Sequence, residues 1–197
     1  MALIHGDDGW PIGGVVSERG RPSAGAKVLL VPQHGVILAA RGSTQFFLRM
    51  YNLILQASFR DDFSIEQVTV ELGGVIDRLW PDYERAANAA GIDRQHLHTE
   101  LVLGGWEPRR GSMIATAFAK SNSAIPAIVQ PLDGGLASPG EPLRGWQDSF
   151  DLEAVLSAGK IQAWWLSGSV GRKVAGGRLL ATVVREGYTV VHDLGDL

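Results

Sequence analysis

At 197 residues, with 45% hydrophobic and 20% charged side chains, the chain has the bulk of one packed domain and not of a disordered tail. A formal net charge of −3 gives no electrostatic reason to expect nucleic acid or an anionic membrane as a partner. Cysteine is absent, which removes disulfides, thiolate metal sites and a cysteine nucleophile from consideration.

Met1 to Pro11 carries Asp7 and Asp8 and no basic apolar stretch, unlike a signal peptide. No window reaches the roughly 18 consecutive apolar residues of a membrane span. A cytoplasmic protein is therefore expected. Leu3–His5 and Ile12–Ser17 read as strands about an Asp7-Asp8-Gly9 turn, and Ser17 to Gly25 as a loop. Lys27–Val31 and Gly35–Ala40 form a second predicted hairpin across Pro32 to His34.

Ser43 precedes helically spaced apolar residues to Ser58 and is placed as an N-cap. Ser64 and Gln67 open a second helix to about Leu79 in capping-box fashion. Gly73-Gly74 inside it costs about 1 kcal/mol per glycine relative to alanine and reads as close packing on a sheet. Pro81 is read as a kink or as the start of a third helical piece to Ala90, ended by Gly91.

Strands are expected at His98–Leu103 and Met113–Ala119, turned by Gly104 to Gly111, with a further strand in Ile125–Leu132. Asp133 to Gln147 reads as a loop, Asp151 to Ser167 as a third helix, and Gly168 to Gly177 as a flexible stretch. The chain closes on a hairpin, Arg178–Arg185 and Tyr188–Asp193, turned at Glu186-Gly187. Strands cluster and do not alternate with helices, and several are apolar on consecutive residues. The predicted fold is therefore a single α+β domain over residues 1–197, a four-layer αββα sandwich of two antiparallel sheets between helices. The helices over 43–58 and 64–79 should cover one side, and that over 151–167 the other.

Three segments carry a resemblance to a family. They are Ala26-Lys27-Val28 through Ala39-Ala40-Arg41-Gly42-Ser43; Glu100 to Trp106 with Pro108-Arg109-Arg110-Gly111 and Met113-Ile114-Ala115; and Val174 to Arg178 leading into the last hairpin. In these the chain resembles the proteasome β-subunit-like N-terminal nucleophile hydrolases. The resemblance implies a threonine-type mechanism, in which the first mature residue attacks through its hydroxyl and its own α-amine takes the proton. A lysine and an acid fix charge, and backbone amides hold the oxyanion.

Carried over by residue, Lys27 stands where the family keeps its lysine, and it reads either as a remnant of that site or as an ordinary strand-end lysine. Glu18, or by another register Ser17, stands at the family's acid, and a solvated loop carboxylate is its plain alternative. Gly42 and Ser43 read equally as oxyanion donors or as a helix cap. About sixteen residues before Glu18, where the family's nucleophile belongs, stands Ala2, which has no hydroxyl. The first hydroxyl of the sequence is Ser17. The resemblance thus implies a catalytically inactive relative that self-assembles, with a ring as one form, or that holds a peptide-like ligand in the old cleft. The rival reading is an active peptide or amide hydrolase whose nucleophile is altered or missing.

His96, His98 and Glu100 share a strand face by spacing, but a hydrogen-bonded or exposed pair is favoured over a metal site. Gly13-Gly14, Gly104-Gly105 and Gly176-Gly177 fit no phosphate loop or dinucleotide fingerprint, so no cofactor is expected. Trp164-Trp165 is assigned to core or subunit interface, and Phe46-Phe47 to the apolar surface that a homo-oligomer would use.

Overall fold

The computed structural model of the chain describes residues 2–6, 28–94, 97–133, 140–145, 151–170 and 178–197. The expected strand at Ile12–Ser17 and the loop after it lie outside these residues. Described strands are β1 (Ala2–Gly6), β2 (Val28–Val31), β3 (Val36–Arg41), β4 (Thr99–Glu107), β5 (Ser112–Lys120), β6 (Ile128–Pro131), β7 (Arg178–Arg185) and β8 (Tyr188–Asp196). The helices are α1 (Thr44–Ala57), α2 (Ile65–Ala89) and α3 (Leu152–Val170), with short 3-10 turns at Pro32–His34 and Glu141–Leu143. All described pairings are antiparallel, in two sheets ordered β1-β7-β8 and β2-β3-β4-β5-β6.

α1 and α2 form because their apolar residues recur at helical spacing behind serine caps: Ser43 accepts from the Phe46 N–H and Ser64 from the Gln67 N–H. Phe46, Phe47, Met50 and Ile54 of α1 and Leu72, Ile76 and Trp80 of α2 pack on Val36, Leu38, Leu101, Leu103 and Phe118 of the five-stranded sheet. α3 lies on the smaller sheet, where Val155 meets Leu179 and Ala181. It approaches so closely that a Cβ on Gly159 would sit 2.8 Å from Leu179 Cδ2. β3 is buried on both faces: Val36 and Leu38 face the helices, and Ile37, on the opposite face, is 0% exposed. β7 touches β4, and Val184 Cγ1 stands 3.9 Å from where a Cβ on Gly35 would be.

Five expectations need correction, in whole or in part. α2 is one 25-residue helix that runs through Pro81 to Ala89. Pro81 is exposed, while Trp80, Glu84 and Ala87 on either side are buried, so packing outweighs the lost hydrogen bond. Gly104 and Gly105 belong to β4 and not to the turn, which is confined to residues 108–111. They are needed for close approach: a Cβ on Gly105 would lie 2.7 Å from Ile65 Cδ1 and 2.8 Å from the Gly35 carbonyl oxygen. Phe46 and Phe47 are core residues, not spare surface, because α1 turns that stripe onto the sheet. Of the two places expected for Trp164, core or subunit interface, exposure of 77% removes the core. Gly73-Gly74 divides: a Cβ on Gly73 would meet Val129 Cγ2 at 2.8 Å, as close packing on a sheet requires, but Gly74 faces open space.

Polar side chains of α2 fasten the β5–β6 connection. Asp77 Oδ1 accepts from Lys120 Nζ at 2.6 Å and from the Ala127 N–H at 2.8 Å, while Lys120 also donates to the Ile125 carbonyl. The buried Glu84 takes the Ser123 hydroxyl and Arg94 Nε, the latter at 3.1 Å. Asp77→Ala should leave the Lys120 ammonium, 4% exposed, without its carboxylate and the Ala127 N–H without its acceptor. A loss of about 2–4 kcal/mol in urea unfolding is expected. Among the described residues no helix is long and apolar enough to cross a membrane.

Candidate functional site

The corner where β3 passes into α1 gathers four of the residues singled out in the sequence: Gly42, Ser43, His98 and Glu100. Gly42 turns the chain with φ +102, which side-chain-bearing residues rarely adopt. It also has no room for a Cβ, which would fall 2.1 Å from the His98 carbonyl oxygen and 3.0 Å from Thr99 Cα. Ser43, 4% exposed, then caps α1: its Oγ accepts from the Phe46 N–H at 3.2 Å and its carbonyl from the Phe47 N–H at 3.0 Å. Tyr83 of α2 packs beside the corner, its ring centroid 5.1 Å from that of Phe46 and its hydroxyl near Ser43. Burial pushes the Tyr83 phenol above its ordinary pKa, and the bond to Ser43 opposes that rise. Buried and bonded to the Phe46 N–H, the Ser43 hydroxyl serves as the cap of α1.

Antiparallel register sets Arg41 opposite Glu100. Glu100 sits between two basic groups, with His98 Nε2 at 2.9 Å from its Oε1 and Arg41 Nη1 at 3.7 Å from its Oε2. The His98–Glu100 pair is thus hydrogen-bonded and partly exposed, as its spacing suggested. Alternation along the strands puts Arg41 and Glu100 on the sheet face turned away from α1 and α2, together with Ala39, Val102, Ala117 and Ala119. That face offers a floor of small apolar side chains with a charge pair at one end. No acidic residue occupies the first turn of α1, whose N-terminal end is met by the Ser43 hydroxyl. Among the described residues no group of three or more His, Asp or Glu side chains could hold a metal ion.

Ala2 is the first residue of β1, opposite Val183 of β7 in the smaller sheet. The described contact between the sheets near it, Val184 against Gly35, lies at the other end of β3 from Gly42. Glu18, Lys27 and His96 lie outside the described residues. Sequence reading missed two members of the corner. Arg41 stands within the family-like segment but was given no role. Tyr83 lay within the expected helical piece to Ala90, but nothing in its local pattern pointed to Ser43, forty residues earlier.

No protein-family model matches this sequence, nor does any curated protein. Solved structures do match its fold. Anbu (ancestral β-subunit) from Yersinia bercovieri superposes with a TM-score of 0.62 at 13% identity, covering 98% of this chain and 82% of that one. Anbu from Hyphomicrobium sp. strain MC1 gives 0.56, and its Gly-1 mutant 0.57, each at 13% identity with the same 98% and 82% coverage. At such identity the likeness is one of fold: a proteasome β-subunit-like α+β architecture over nearly the whole chain.

Proposed function

We propose that this chain is a proteasome β-subunit-like protein of the N-terminal nucleophile fold that is silent as a peptidase and acts by assembling with copies of itself. The observation that carries the reading is an alanine at the first position of β1 in a chain that follows the Anbu fold over 98% of its length. A methyl group there supplies neither hydroxyl nor thiol to attack a carbonyl. The four-layer αββα arrangement belongs to the same proposal. Its support is the burial of β3 on both faces, with α1 and α2 on one sheet and α3 on the other.

In this reading Glu18 and Lys27 are the acid and lysine kept from the family's site, and Gly42 is the backbone position nearest an oxyanion role. The small-residue face beside Arg41 and Glu100 holds a peptide-like segment without cutting it. The protein works in the cytoplasm. The purified chain is expected to leave fluorogenic peptides intact and to gain no mass from a threonine-directed epoxyketone, as read by intact mass spectrometry. Peptide turnover that the epoxyketone abolishes would overturn the silent reading.

A further inference from the structure

We draw no further inference here: the strongest candidate, the exposed apolar side of α3 around Leu152 and Trp164, carries nothing because nothing in the structure shows what covers it.

Discussion

Gly42→Ala is expected to lower stability by about 3–5 kcal/mol, the largest effect of adding a methyl group at any of the described glycines. Two costs combine. An L side chain at φ +102 is strained wherever it points, by roughly 1–3 kcal/mol. The added carbon also lands 2.1 Å from the His98 carbonyl oxygen, so the backbone of β4 itself must shift. That shift is opposed on both sides, because Thr99 is buried and Ser43 is buried and held by its cap bond to the Phe46 N–H. In a chain of this size each kcal/mol moves the melting temperature by roughly 2–4 °C, so a fall of about 6–20 °C should be seen in thermal unfolding. Gly74→Ala is the matched control. It sits in α2 with nothing within 4 Å of the new carbon, and should stabilise by about 0.5–1 kcal/mol through helix propensity. If both variants melt alike, the tight corner at Gly42 is not there.

Trp80→Ala should cost about 3–5 kcal/mol. Trp80 is 0% exposed and is the largest fully buried side chain described. Its ring meets Phe46 edge-on at 5.0 Å and Tyr83 at 5.2 Å, so truncation opens a void at the junction of α1, α2 and the sheet. Dispersion and aromatic contacts are lost together, since neighbouring helices relax only partly into such a gap. Trp80→Phe should cost much less. It keeps a ring in place and breaks no hydrogen bond, as Nε1 has no partner among the described residues. Urea unfolding of the two variants reads the difference; equal losses would mean that ring packing is not what Trp80 contributes.

Much of the fold was legible because it rests on local signals. Ser43 and Ser64 before apolar runs fixed both helix starts, and Glu186-Gly187 placed the last hairpin, where Gly187 takes φ +60. What was not legible depends on distant partners. Gly104-Gly105 resembles a turn in sequence, and only the approach of Ile65 and the Gly35 carbonyl shows why a strand needs glycine there. Pro81 looks like a kink or a fresh helix start until Trp80 and Glu84 are seen buried on either side of it in one helix. The same holds for the site. Spacing paired His98 with Glu100, but no local pattern could bring Tyr83 beneath Ser43 or set Arg41 beside Glu100.

The reading of this chain as an assembling β-subunit-like protein stands or falls on its mass in solution. Light scattering coupled to size exclusion, on the full chain over a wide range of concentration, is the direct measurement. The expected result is a stable multiple of 21.1 kDa that persists on dilution. A single species of 21.1 kDa at every concentration would contradict it.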